Sequence, residues 1–210
     1  MENIAYFLSK LDSATKEALS LVEKEYIKQG YLNPKNSNCK IAVLPGSATF
    51  IAKINDKIVG TVSVIFDSPS GLPMDEIYKK EVDKLRLKNK KIVEVGRLAV
   101  AREFLSKKSG FSEKYNNLSL VSSLFKLVFH YCIYKNIDNI CISINPKHNL
   151  FYKSICFEDI GGLKFYPSVN NAPALAKTFD INKIKNKKIK NYFLLKKIFI
   201  DNPPNYKLLR

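Results

Sequence analysis

Residues 49–66 commit this chain to a sheet. Thr49-Phe-Ile-Ala-Lys-Ile54 and Ile58-Val-Gly-Thr-Val-Ser-Val-Ile-Phe66 are rich in β-branched residues, and Asn55-Asp56 lies between them. Branched side chains pack well on a pleated surface, and a short polar turn joins antiparallel neighbours. Once this hairpin forms, the remaining elements must extend it or cover it.

The pattern around the hairpin supplies both. Ile4 to Leu8 reads as a short strand. Asp12 or Ser13 caps a helix running to about Gln29, with Lys28 in its last turn and Gly30 just beyond. Asp67 to Pro73 is a loop, Met74 to Leu85 has helical periodicity, and Lys91 to Val100 is a strand. After a polar loop from Ala101 to Asn117 come an apolar helix, Leu118 to Lys135, and a strand, Asn139 to Ile144. A short helix over Lys147 to Ile155 and strands at Phe157 to Gly161 and Ala174 to Ile181 complete the order. Strands grouped early and a later βαβα unit predict an α/β (α+β) domain: a mixed sheet flanked by helices.

The length of 210 residues and 46% hydrophobic content suit one folded domain. No apolar run reaches the roughly 18 residues needed to span a bilayer, and the acidic Met1-Glu2 start is unlike a secretory signal. The expected compartment is the cytoplasm. The four cysteines show no CxxC pairing and only His130 and His148 are present, so no metal site is expected. The net charge of +16 points to an acidic partner (nucleic acid, an anionic membrane or an acidic protein), and the competing reading is that part of the excess reflects a Lys- and Asn-rich proteome. No arginine–glycine–aromatic interleaving of the RNA-binding kind appears, which disfavours nucleic acid. From Lys177 to Arg210 there are ten Lys/Arg against two Asp. This tail, 182–210, reads as a solvated helix, a membrane-surface helix with Tyr192, Leu195 and Phe199 on one face, or a carrier-protein or nucleic-acid contact.

Two segments hold candidate chemistry. Glu94-Val-Gly-Arg-Leu-Ala-Val100 carries a carboxylate and a guanidinium three residues apart. A regular strand would send them to opposite faces. Gly96 between them is a natural place for a bulge that would bring both to one face and free a backbone N–H as an oxyanion donor. The competing reading is an edge strand whose Glu and Arg face water. The second segment, Asn145-Pro-Lys-His-Asn-Leu-Phe-Tyr-Lys-Ser-Ile-Cys-Phe157, places Asn145 as a helix cap, Pro146 at the first turn and Tyr152 two turns on. Here the competing reading is ordinary strand–turn–helix packing.

Residues 141–157 resemble the second half of the GNAT acyltransferase fold, with Asn145 and Tyr152 at matching positions and Cys156 where the family has Gly. More specifically, the chain resembles N-acyl amino acid synthases of the FeeM type. The likeness is carried by Gln29-Gly-Tyr-Leu32, by Val59-Gly-Thr-Val-Ser63 with Asp67-Ser-Pro-Ser-Gly-Leu-Pro-Met-Asp-Glu-Ile-Tyr78, by Glu94 to Val100, and by Asn145-Pro-Lys-His148 with Tyr166-Pro-Ser-Val-Asn-Asn-Ala-Pro-Ala174. It spans about residues 10 to 181 and is shared in part with acyl-homoserine lactone synthases.

The resemblance implies a bacterial-type, GNAT-like, mostly antiparallel sheet over 1–181. It also implies transfer of a fatty acyl group from an acyl carrier protein phosphopantetheine thioester to the amine of an amino acid. The alternatives are an acetyl-CoA-dependent N-acetyltransferase and a degenerate domain acting as a binding or regulatory module. Ala101 to Asn117 holds one glycine and is too long for the pyrophosphate turn of ordinary GNAT enzymes, which favours the acidic carrier protein as donor. The expected catalytic residues are Glu94 as base, Arg97 for the acceptor carboxylate or for holding Glu94, and Tyr152 as acid to the leaving thiolate. Leu98, Val100, Lys107, Lys108, Asn145 and His148 are expected on the donor. Apart from the donor's pantetheine, no cofactor is expected. Phe125, Phe129 and Leu72 either line an acyl tunnel or pack the core. Tyr166 to Ala174 is expected to be a fixed loop over the acceptor, and the basic tail a peripheral membrane contact.

Overall fold

In a computed structural model of the protein, the described residues are 4–9, 13–34, 41, 43–101, 113–186 and 201–208, with backbone alone at 113–118 and 185. The hairpin forms as its residues require: β2 (Ser47–Ile54) and β3 (Lys57–Phe66) are joined by Asn55 and Asp56, both left-handed at φ 47° and 61°. Asn and Asp tolerate that conformation better than most residues, and such a turn matches the twist of the flanking strands.

Around the hairpin the sheet grows on both sides to eight strands, in the order β6-β7-β5-β4-β3-β2-β1-β8. Here β1 is Ala5–Ser9, β4 Ile92–Val100, β5 Asn139–Ile144, β6 Glu158–Tyr166, β7 Ala172–Asp180 and β8 Tyr206–Leu208. All neighbours pair antiparallel except β4 with β5 and β1 with β8. The mixed, mostly antiparallel sheet is the expected one.

Helices cover both faces. On one, α3 (Glu113–Tyr134) packs Leu124, Phe125 and Phe129, and α4 (Asn149–Ser154) packs Phe151 and Tyr152, in one layer with Phe50, Val62, Val64, Val93 and Val95. On the other, α1 (Ser13–Lys28) buries Ala18, Leu19 and Val22 against Ile51, Ile58 and Ala99. Beside it α2 (Asp75–Arg86) buries Tyr78 and Val82 with Ile65, Ile92 and Cys141. Alternation along β2 to β5 divides the apolar residues between these layers.

Tyr78 interrupts α2 with non-helical φ −117° and ψ 20°. Its phenol lies 2.8 Å from the Gly162 carbonyl and 2.7 Å from the Ala174 carbonyl, linking α2 to the β6–β7 hairpin. Gly161 passes over the ring so closely that a Cβ there would lie 2.8 Å from Tyr78 Cδ1.

Three expectations change. The helix expected from Leu118 begins at Glu113. The loop expected over Tyr166 to Ala174 shortens to Pro167–Asn171, with Tyr166 ending β6 and Ala172 to Ala174 opening β7. The tail contributes a short helix, α5 (Ile181–Lys185), and the edge strand β8, where no strand was expected. The amphipathic stretch at 187–200 lies outside the described residues. Tyr206 stacks edge-on to Phe50 at 5.6 Å, so the tail closes the β1 edge of the sheet. Among the described residues, no helix is long and apolar enough to cross a membrane.

Candidate active site

β4 and β5 run parallel but pair only over Ile92–Asn139, Val93–Ile140 and Glu94–Cys141. β4 nevertheless continues to Val100 and β5 to Ile144. Beyond Glu94 the two strands part, and the edge of β4 that would face β5 is left open in a fork.

On its other edge β4 keeps its pairing with β3, with one slip. Ser63 faces Gly96, yet Thr61 faces Ala99, so β4 carries one extra residue. Gly96 offers the space for the bulge, but Arg97 occupies the left-handed position, at φ 56°. A non-glycine residue held there costs about 1–3 kcal/mol, a strain found most often at functional sites. The slip reverses the alternation. Leu98 and Val100 join the core under α3, while Ala99 and Ala101 join the layer under α1. The side chains of Leu98 and Val100 are thus taken up by packing. Their main-chain groups are not: Ala101 N–H bonds the Val59 carbonyl at 2.9 Å, so parity turns the Val100 and Leu98 amides away from β3, toward the fork.

The bulge brings Glu94 and Arg97 into one electrostatic neighbourhood. Glu94 is 6% exposed, and its Oε2 accepts the Met74 N–H at 2.7 Å. Burial pushes its carboxyl from 4.5 up to about 7; Asp75 adds to the rise, while the Met74 bond and Arg97 oppose it. Burial lowers the Arg97 pKa, against the pull of Tyr26 and Glu94. Glu94 therefore exchanges a proton near neutrality, beside a guanidinium suited to a carboxylate.

Phenols surround this pair. Tyr26, in the last turns of α1, is pushed up to about 12 by burial and senses Arg97, Glu94 and Tyr31. Tyr152 reaches the site from α4, packed edge-on against Phe125, Phe151 and Phe157. Burial raises its pKa, with a further contribution from Tyr26. Tyr166, at the end of β6, is raised by burial and then by Glu94. Ser143 Oγ lies near that phenol, buried and without a hydrogen bond of ordinary geometry. At neutral pH all three phenols keep their protons and serve as donors.

A turn closes the site from above. Asn145 caps the 3₁₀ turn Pro146–His148 by accepting the Lys147 N–H at 3.1 Å, and donates from Nδ2 to the Tyr31 hydroxyl at 3.1 Å. Lys147 Nζ donates to Gln29 Oε1 at 3.1 Å, and Asn170 Nδ2 donates to the Gly30 carbonyl at 2.9 Å. Gly30, at φ +74°, turns the chain sharply after α1. The Gln29–Tyr31 turn is thus tied to two loops more than a hundred residues away in sequence.

Among the expected site residues, Glu94, Arg97 and Tyr152 share the fork region with Asn145, whose amide holds Tyr31. His148 is exposed on the 3₁₀ turn, and Lys107 and Lys108 lie outside the described residues. Leu72 is buried with Met74 and Tyr78, on the opposite face of the sheet from Phe125 and Phe129, so these three do not line one tunnel. Tyr26 had no sequence signal of its own; Tyr166 and Met74 lay in segments of the family likeness without a role assigned to either. Asp67 and Asp75 had a sequence signal: two carboxylates flanking the glycine-containing loop that precedes the Glu94 strand.

The comparisons concern the fold and the family. The model of the N-acyl amino acid synthase FeeM family matches residues 17–180. The structure of FeeM, an N-acyl amino acid synthase from uncultured soil microbes, superimposes with a TM-score of 0.74 at 32% identity, covering 87% of this chain and 94% of that one. A CoA-dependent acyl-homoserine lactone synthase, BjaI, gives a TM-score of 0.60 at 12% identity, covering 99% and 95%. An N-acetyltransferase from Staphylococcus aureus Mu50 gives 0.55 at 14%, covering 86% and 99%; these two show the fold alone. No curated protein sequence matches the chain. With the family model over most of its length and a relative at 32% identity, the chain belongs to the FeeM family of N-acyl amino acid synthases and is an N-acyltransferase.

Proposed function

We propose that this chain moves a fatty acyl group from an acyl carrier protein phosphopantetheine thioester to the amine of an amino acid. The observation that carries the reading is Glu94: a buried carboxyl at the fork, poised near neutrality beside Arg97.

In the reaction the acceptor ammonium gives a proton to Glu94, directly or through one water. The free amine attacks the thioester carbonyl, forming the C–N bond. Main-chain amides near Gly96 to Leu98 hold the oxyanion. Collapse breaks the C–S bond; Tyr152 protonates the departing thiolate, and the second proton of the attacking nitrogen, released as the amide forms, returns to the phenol. Arg97 binds the acceptor carboxylate in a bidentate pair. Of the amides on the open edge of β4, that of Leu98 faces the thioester end of the donor and that of Val100 holds the pantetheine arm, as an added strand would be held.

The donor assignment rests on charge and on the Ala101 to Asn117 stretch. Net +16 suits an acidic carrier protein, and Lys107, Lys108 and His148 are our candidates for its contact. In sequence the stretch holds a single glycine, Gly110, where a turn for a coenzyme A pyrophosphate calls for a glycine-rich pattern. We place the reaction in the cytoplasm, with the basic tail available to an anionic membrane surface and nucleic acid as no partner.

The test is a donor comparison. Purified protein with an amino acid pool is given long-chain acyl carrier protein, long-chain acyl-CoA or acetyl-CoA, and products are read by mass spectrometry. N-acyl amino acids formed best from the carrier protein support the reading. Efficient turnover with acetyl-CoA alone overturns the donor, and a lactone formed from S-adenosylmethionine overturns the acceptor.

A further inference from the structure

We propose that Arg86, on the last turn of α2, is a positioning residue for Glu94, acting by clamping the loop Asp67 to Met74 that delivers the Met74 amide to the Glu94 carboxylate. The proposal rests on Glu94 being the base.

All five guanidinium N–H donors of Arg86 are engaged. Nε and Nη2 donate to Asp67 at 2.9 and 2.7 Å, and Nη1 and Nη2 donate to Asp75 at 3.1 and 2.6 Å. The remaining Nη1 donor reaches Asp83 at 2.6 Å. Two bidentate pairs thus grip the two ends of one loop: Asp67 directly follows β3, and Asp75 opens α2. Bidentate guanidinium–carboxylate pairs fix orientation as well as distance, and a lysine lacks the fork to replace them.

The grip is passed on inside the loop. Asp75 Oδ2 also accepts the Leu72 N–H at 2.8 Å, and Asp75 N–H returns to the Leu72 carbonyl at 2.9 Å. Gly71 turns the chain at φ +79°, where a Cβ would lie 2.4 Å from that same Asp75 oxygen. Leu72 and Met74 are buried beneath. Between these fixed points the Met74 N–H has one direction, toward Glu94 Oε2. Local ion pairing at a helix end needs one carboxylate; three converging on one arginine, two of them spanning the loop, indicate that loop shape is what is held.

The groups facing Glu94 are the Met74 amide and Asp75 from α2, Arg97 from its own strand, Tyr26 from α1, Tyr166 from β6 and Cys141 from β5. Loss of Arg86 frees the Met74 amide and leaves Asp75 without its counter-ion. Both changes disfavour the Glu94 carboxylate, so its titration moves upward.

The test follows Glu94 itself. In the full-length protein its carboxyl band is followed against pH by infrared difference spectroscopy and assigned by its loss in Glu94→Gln. The pH dependence of kcat and KM is measured alongside. In Arg86→Gln the Glu94 midpoint rises by about one pH unit. The limb in kcat/KM moves with it, and KM for the acyl donor stays near that of the unaltered protein. Asp67→Asn keeps the side chain's size, removes one arm of the clamp without facing Glu94, and shifts the midpoint the same way by less. It decides the matter if Arg86→Gln does not fold. An unmoved Glu94 midpoint in a folded variant overturns the proposal. A midpoint that moves while the kcat/KM limb stays in place leaves the clamp standing and removes Glu94 as the base.

Discussion

The two faces of the sheet are built from opposite materials. Under α3 and α4 the layer is continuous and apolar, from Phe50 and Val62 through Phe125 and Phe129 to Phe179. Under α1 and α2 the apolar residues fall into two separate clusters. Glu94, Arg97, Tyr26 and Tyr166 lie on this face, with the Arg86 carboxylates beside them and the hydroxyls of Thr49 and Ser63 paired at 3.0 Å, whereas Tyr152 packs with the first face. The first face holds the fold together. The second tolerates a buried carboxyl because the first supplies enough stability to carry it.

That contrast makes opposite forecasts for the two faces. Glu94→Gln lowers kcat/KM by about 10²–10⁴ at neutral pH, as expected for loss of a general base, whereas the unaltered enzyme gains activity through a limb near pH 7. The same variant is more stable than its parent above that limb. Glu94 has a raised folded pKa, so its relative contribution is fully present below the unfolded value of 4.5 and is lost as pH rises through about 7. Urea titrations at about pH 8 should favour Glu94→Gln by on the order of 2 kcal/mol, with no difference near pH 4. A neutral-pH loss of stability would break the contrast.

Phe129→Ala, on the apolar face, costs about 3–5 kcal/mol of stability and leaves the pH limb in place. A moved limb would show that the faces are not separate. Gly161→Ala sets a methyl against Tyr78 and costs about 1–3 kcal/mol, read by thermal or urea unfolding. Asn170→Gly keeps the left-handed backbone but removes the bond to Gly30, changing stability by about 0.5 kcal/mol or less. Because the turn lies over the site, we expect KM for the acceptor to rise; an unchanged KM would assign that turn to scaffolding alone.

Much of the scaffold was legible because its signals are local. Asn55-Asp56 between β-branched runs sufficed for the hairpin, and Asn145-Pro146 after an apolar strand sufficed for the capped turn. The bulge was legible in part. Gly96 marked where β4 needed room, but the residue that turned left-handed was Arg97, since register against β3 decides which position carries the extra residue. The tail misled because β8 is stabilised only by the β1 edge, and three residues carry little pattern of their own.

By itself the sequence determined the order of the elements, the family, and the presence of a carboxylate and a guanidinium on one strand beside a glycine. Periodicity and turn chemistry depend on near neighbours, and these were in view. The tertiary structure alone decided that β4 and β5 part after Glu94, that a left-handed Arg97 shares a neighbourhood with Glu94, and that Met74, Tyr26, Tyr152 and Tyr166 gather there. A carboxyl moves from 4.5 toward 7 chiefly through the water it loses, and a strand loses that water only when the rest of the chain packs over it.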